Sequence, residues 1–437
     1  MKTITSKTDE YGKKAHLYIP AGAHTYSRTD EVFPGNAPRV IERCKGAYCW
    51  DIDGNRFLDY AMACRSVTIG YDFERISNAA IEQIRNGNTA SKASKIEVDA
   101  AEKLVEMIPW VDMVKFAKNG STVTSAATKL ARAYTGRKYI ARCKEHSFFS
   151  YDDWFIGNTV MDAGIPDEIK ELTLQFSYND IESVRNLFEE YNGEIACLIM
   201  EPCESEEPVG NFLTEVGELC KKHGVVYILD EMISGFRWDI QGACKYYGVE
   251  PDLVTYGKGM ANGFSVAALG GKREIMELGG LIPGKERVFL ISTTHGAEMS
   301  SLGAFLETMD VYKELDITTQ IWKSGQKLID GLNCIAKEYG LQDYFYTVGA
   351  ACSPNFVVCD KNKQPSLEYR TVFCQEMMEE GVMMPYIAPT YSHGDDEIEI
   401  ALNAARKALK TYSDSLNGNV LDYIRGNVIK PVFRKYN

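Results

Sequence analysis

Histidine is scarce in this chain. The six among 437 residues, at positions 16, 24, 146, 223, 295 and 393, never fall in an H-x-x-x-H or H-E-x-x-H spacing. That argues against a metal hydrolase, and no metal is expected. No two of the 12 cysteines form a C-x-x-C pair, so neither a zinc knuckle nor a disulfide scaffold has support. Several, such as Cys197 within residues 195–200, lie in apolar runs where cysteine acts as a small buried hydrophobe, which implies a reducing compartment. No run approaches the ~20 apolar residues that span a bilayer. The first fifteen residues, MKTITSKTDEYGKKA, lack an apolar core for export. The expected setting is the cytoplasm, with no membrane partner. Positive charge is also in deficit: 48 basic against 61 acidic residues give a net charge of −13. Such a surface repels phosphate backbones, so no nucleic-acid partner is expected, and the basic tail at 429–435 reads as a solvated terminus. Internal repeats and low-complexity tracts are lacking too.

What is present suits a packed protein. Forty-five per cent of residues are hydrophobic and 25% charged, ordinary globular values, and the length gives a prior of about two or three domains. Strand and turn patterns fill 37–60: strands at 39–41, 47–50 and 57–60, with a hairpin signal at Asp53-Gly54-Asn55. From about residue 75 the pattern alternates. Short apolar runs at 113–116, 195–200, 225–229, 253–256, 267–269 and 288–291 read as strands. Amphipathic stretches at 76–85, 96–107, 180–191, 215–223 and 299–314 read as helices, and another follows residue 121. This is the α/β pattern of a mostly parallel sheet flanked by helices. Helices at 318–339, 366–380 and 396–416 suggest a smaller α+β lobe at the end.

Four features fall at or beyond strand ends, where open α/β sheets place their ligand crevice. Asn119-Gly120-Ser121-Thr122 joins a strand to a helix, and free N–H groups there suit a phosphate or carboxylate; an ordinary serine cap is the plainer alternative. Asp230-Glu231 closes an apolar strand, where a carboxylate needs a partner; a structural ion pair or helix cap would also serve. Gly257-Lys258-Gly259 follows another strand. A lysine amine drawn out of water becomes a carbonyl nucleophile, although a solvated loop lysine is the default for any lysine taken alone. Ser292-Thr293-Thr294-His295-Gly296 follows the run at 288–291 and offers hydroxyls to an anion, or plain turn chemistry. Two nucleotide motifs fail at Gly257: Asp252 and Gly259 break a G-x-x-x-x-G-K-[ST] loop, and Gly263 comes one residue late for G-x-G-x-x-G. Gly263-Phe264-Ser265-Val266-Ala267 fails as a hydrolase elbow, because a strand follows it. Taken in order, a phosphate site, a strand-end aspartate and a flexible lysine suit pyridoxal 5′-phosphate.

On these residues the chain resembles the class III pyridoxal-phosphate aminotransferases of fold type I, and within them the glutamate-1-semialdehyde 2,1-aminomutases. The likeness covers nearly the whole length. It is most specific at Leu229-Asp230-Glu231-Met232, Gly235-Phe236-Arg237, Pro251-Asp252-Leu253 and Gly257-Lys258, with Lys258 28 residues after Asp230. Residues 46–56 and 130–137 match as well.

The resemblance implies a large lobe over 71–315 with a seven-stranded, mostly parallel sheet. The small α+β domain would be built from 1–70 and 316–437. It implies that Lys258 holds pyridoxal 5′-phosphate as a Schiff base and shuttles a proton, and that Asp230 pairs with the ring nitrogen. Gly120, Ser121 and Thr122 would hold the phosphate, while Glu201 and Met232 would lie beside the ring. His146 aligns with the aromatic that stacks on the cofactor, with Phe148 the alternative. Thr294 would reach the partner subunit's cofactor, implying a homodimer with shared sites. Arg28 falls on a carboxylate-binding arginine.

Three places depart from the pattern. Cys64 stands for a substrate-contacting tryptophan, Ile387 stands for a glutamate, and the usual N-S-G-T-E-A run reads Lys118-Asn119-Gly120-Ser121-Thr122-Val123. These fit a relative that takes a small-molecule amino donor and aminates an aldehyde or ketone acceptor.

Overall fold

The computed structural model describes residues 6–284, 286–296 and 298–436. The chain divides into two compact units, one of residues 1–73 and 319–432, the other of residues 74–318 and 433–437.

In the first unit, β1 (Ile41–Lys45), β2 (Tyr48–Asp51) and β3 (Arg56–Asp59) form an antiparallel meander. The turn between β2 and β3 is tied by Asp51, whose carboxylate accepts from the Asp53 and Asn55 amides at 3.0 and 2.8 Å. The expected hairpin is therefore present, although the strand read at 39–41 begins only at Ile41.

The second unit carries β4 (Met113–Ala117), β5 (Tyr139–Cys143), β6 (Thr173–Phe176), β7 (Ile195–Met200), β8 (Val226–Glu231), β9 (Leu253–Tyr256) and β10 (Ala267–Gly271). They form a seven-stranded sheet in the order β4-β10-β9-β8-β7-β5-β6. The run β9-β8-β7-β5-β6 is parallel, and β10 is antiparallel to both of its neighbours. Every residue of β7 and β8 is buried, which explains why these strands read as unbroken apolar runs. The helix Gly120–Thr135 buries Val123, Ala126, Ala127, Leu130 and Ala131, a 3–4 residue spacing that makes one apolar stripe. That stripe joins the core formed with Ile140, Ile199, Ile228 and Leu269.

The remaining strands belong to the first unit. β11 (Phe345–Val348) and β12 (Asn355–Val358) pair antiparallel, and β13 (Val382–Met383) adds to β3 in parallel. The helices Leu367–Glu379 and Asp395–Leu416 supply Phe373, Met377, Ala405 and Leu409 to the core of this unit.

One expected strand is not one. Residues 288–291 have no ladder partner and form a loop, held by the Val288 amide on the Leu278 carbonyl at 3.0 Å. Their apolar character has another cause, since Val288, Leu290 and Ile291 pack on the core of the second unit. Periodicity reports burial, and burial needs no ladder.

Gly325, inside the helix Ile317–Glu338, gives a fold-level prediction. An added Cβ would stand 1.8 Å from the Ala351 carbonyl oxygen. Gly→Ala in a helix interior ordinarily stabilises by about 1 kcal/mol. Here Gly325→Ala should instead destabilise by about 1–3 kcal/mol, and a thermal melt with an unchanged or higher midpoint would contradict this packing.

Candidate active site

β4, β5, β7, β8 and β9 all point the same way, because β4 and β9 are both antiparallel to β10. Their carboxyl ends therefore meet along one sheet edge, and the predicted residues of the second unit sit on it. Gly120, Ser121 and Thr122 follow β4, His146 follows β5, Glu201 follows β7, Asp230 lies near the end of β8 with Met232 just after it, and Lys258 follows β9. Met232 packs the pieces together. A Cβ added at Gly120 would lie 2.9 Å from its sulfur, and one at Gly257 only 2.6 Å away. The helix start and the lysine loop are thus both packed on the residue that follows β8, and a larger residue at either glycine would require Met232 to shift.

Asp230 is 2% exposed. Its Oδ1 accepts from the Met232 amide and from the Thr255 hydroxyl, each at 2.9 Å. Burial pushes its carboxyl above the usual aspartate range, while the nearby Lys258 ammonium pulls it back down. Thr255 was not legible as a site residue. It is brought opposite Asp230 by the β8–β9 register, which no local signal encodes.

Glu231 has a different task. Successive side chains alternate faces along a strand, and its carboxylate accepts from the Ser234 hydroxyl and from the Ala243 and Cys244 amides at 3.0 and 2.6 Å. It caps the start of the short helix Ala243–Tyr247, so the adjacent acids divide into one at the site and one structural.

Lys258 opens a 3₁₀ turn, Lys258–Ala261, with φ +43. A left-handed lysine is strained by roughly 1–3 kcal/mol, and its close-packed surroundings hold it there.

At the helix N-terminus, Asn119 Oδ1 caps the Thr122 amide at 3.0 Å and accepts the Thr122 hydroxyl at 3.1 Å. Ser121 is buried, and its Oγ accepts from the Tyr151 amide at 3.1 Å. A cavity of about 400 Å3 opens beside this terminus, lined by Lys118, Asn119, Thr122, Tyr151, Thr293, Thr294 and His295. Thr122 and Thr294 therefore line the same cavity. Lys118 and Tyr151 were not foreseen as lining residues.

His146 is 3% exposed, and its Nδ1 accepts from the Glu201 amide at 3.0 Å. The neutral ring then carries its proton on Nε2. It packs against Phe149 and Tyr178. Phe148 is exposed instead, and packs on Phe155 and Phe433.

Arg28 and Cys64 belong to the other unit, which also holds the buried Asp59. Arg28 is exposed at the end of the turn Tyr26–Arg28, and its charge draws the Asp59 carboxyl down against the larger upward push of burial. Cys64 lies in a turn, Met62–Arg65, in which all four residues have positive φ. Left-handed backbone costs roughly 1–2 kcal/mol per such residue. Asp59 Oδ1 holds the turn by accepting from the Ala61 and Met62 amides at 2.7 and 3.2 Å. The thiol lies beside Tyr386, whose ring carries the Arg65 guanidinium 4.5 Å from its centroid. Ile387 is fully buried.

The fold is that of the fold type I pyridoxal-phosphate aminotransferases. The solved FumI protein of Sphingopyxis sp. MTA144, in its PLP internal aldimine form, superimposes with a TM-score of 0.85 at 26% identity, over 94% of this chain and 98% of that one. Residues 32–409 match the family Aminotransferase class-III. The chain is 31% identical over 424 residues to the glutamate-1-semialdehyde 2,1-aminomutase of Persephonella marina, covering 91% of this chain and 97% of that protein. It is also 31% identical over 423 residues to the corresponding enzyme of Francisella tularensis, covering 90% and 96%. The chain belongs to the class III aminotransferases, a pyridoxal-phosphate-dependent family. No described helix is long and apolar enough to cross a membrane.

His146 carries a pH prediction. Burial lowers its pKa from 6.5 to about 4, so the unfolded chain takes up this proton at a higher pH than the native one. The stability that comes from keeping His146 neutral is complete above about pH 6.5 and is lost down to about pH 4, by on the order of 3 kcal/mol. His146→Asn keeps an acceptor for the Glu201 amide and should flatten this part of the profile. Urea melts at about pH 7 and about pH 4.5 check it: an identical loss in parent and variant removes His146 as the cause.

Proposed function

We propose that this enzyme moves an amino group from a small-molecule donor to the aldehyde or ketone carbon of a second small molecule, with Lys258 and Asp230 as the catalytic pair. The observation that carries this reading is the meeting of Lys258, Asp230 and the Gly120 helix start around Met232 at one sheet edge. The residues present fit pyridoxal 5′-phosphate: a buried carboxylate for a ring nitrogen, an amine for an aldehyde, and a cavity at a helix N-terminus for a phosphate. When bound, the cofactor supplies an electrophilic carbon for the donor's nitrogen and a protonated ring that withdraws electrons.

The chain's own groups do the rest. Asp230 would pair with the ring-nitrogen proton, a positive partner that its burial calls for. Lys258 Nζ anchors the aldehyde carbon. The same amine would act as general base and then general acid, carrying one proton between carbons. Ser121 and Thr122, with the Gly120 amide, orient the phosphate end. His146, held by the Glu201 amide, and Met232 flank the ring, with Phe148 the alternative to His146. Thr294 completes the phosphate site of a partner chain in a homodimer, and the enzyme works in the cytoplasm.

The acceptor is sugar-derived or bears a carboxylate or phosphate, with Arg28 as its anion ligand and Cys64 lining the pocket. A second reading is favoured by the 31% identity to glutamate-1-semialdehyde 2,1-aminomutases: intramolecular transfer within one amino aldehyde. It requires turnover with no second substrate, and failure to convert glutamate 1-semialdehyde removes it.

The central test is the cofactor's absorbance against a panel of amino donors. The parent should shift with at least one donor. Lys258→Ala should not shift at all. Asp230→Asn, which keeps the acceptor for Met232 and Thr255 but not the charge, should slow the shift by about a hundredfold or more. No shift in the parent with any donor, or an unimpaired Lys258→Ala, sinks the reading.

A further inference from the structure

We propose that Lys118 is an additional ligand for the phosphate of the bound cofactor, and that Glu298 holds it in reserve as an exchangeable counter-ion. This rests on the reading above that the cavity beside Gly120 takes a phosphate.

Lys118 lies just before the helix cap Asn119 and lines the cavity together with Thr122 and Thr294. The backbone is fixed there, because the Lys118 carbonyl accepts from the Ser265 hydroxyl at 2.7 Å. The ammonium is paired with the Glu298 carboxylate, with the two side chains 29% and 26% exposed.

Glu298 is held independently of the lysine. Its Oε1 accepts from Asn88 Nδ2 at 2.7 Å. Asn88 in turn accepts the Met299 amide at 2.9 Å and the Ser300 amide at 3.0 Å, at the start of the helix Met299–Leu315. The carboxylate is therefore pinned to that helix, and the lysine, on its four-carbon stem, is the partner free to swing.

The magnitudes favour exchange. An ion pair this exposed contributes about 0–1 kcal/mol. A phosphate carries about −1.5 to −2 charges against the single charge of a carboxylate, and it sits where the helix N-terminus already favours an anion. Without Lys118, the fixed Glu298 charge would face the phosphate unscreened. The pair thus lets an acidic residue lie beside an anion site in a chain of net charge −13.

The test uses the full-length chain freed of cofactor and titrated with pyridoxal 5′-phosphate by absorbance. Lys118→Gln, with Lys118→Met as a second neutral variant, should raise the Kd roughly tenfold or more. Lys118→Arg should stay within a few fold. Glu298→Gln keeps an acceptor for Asn88 and loses only the charge, so its Kd should be equal to the parent's or lower. Inorganic phosphate should raise the melting midpoint of the parent and of Glu298→Gln, but not of the neutral Lys118 variants. Equal weakening by Glu298→Gln and Lys118→Gln would mean a purely structural pair. Unchanged affinity in the neutral variants would overturn the proposal while leaving the wider reading intact. A parent that binds no pyridoxal 5′-phosphate would overturn both.

Discussion

A carboxylate buried at the end of a central strand cannot stay charged alone, and much of the second unit is arranged around that constraint. Asp230 is taken out of water by β7, β8 and β9, and burial raises its pKa. Two hydrogen bonds and a lysine charge oppose the rise. The lysine comes from the loop after the neighbouring strand, so the compensation depends on the parallel register that sets Asp230 beside Thr255. A slip by one residue would turn the carboxylate to the opposite face.

The same economy of position runs through the other groups. Asp230 and Glu231 are adjacent acids in one strand, yet one faces the site and the other caps a helix through three donors. Left-handed backbone occurs at two of the places singled out: Lys258 is left-handed, and Met62–Arg65 is a whole left-handed turn held by Asp59. In each unit a buried carboxylate lies beside the strained segment. At Asp59 the reason is direct, since a carboxylate accepting the Ala61 and Met62 amides fixes a conformation the chain would not otherwise keep.

Much of the scaffold was legible beforehand. β7 and β9 matched their apolar runs without change, because a strand buried on both faces leaves no polar break to misread. Most helices were found to within one to three residues of their ends. Residues 288–291 were misread because an apolar loop buried against the core has the composition of a strand. β5 and β6 went unseen as patterns: each is short, with charged or polar neighbours, and their membership comes from pairing with β7 and with each other.

Of the candidate site, the sequence by itself marked Lys258 between glycines, Asp230 at a strand end, and the Gly120-Ser121 start of a helix. Each is tied to local chemistry, and the family match agrees with the class of reaction they imply. Only the tertiary structure decided which groups act together. Thr255 on Asp230, the Glu201 amide on His146, Met232 against two glycines and Lys118 against Glu298 are all contacts between segments far apart in the chain. Their pairing is fixed by strand register and helix packing, which depend on every neighbouring element at once, and so it leaves no signal within any single stretch of sequence.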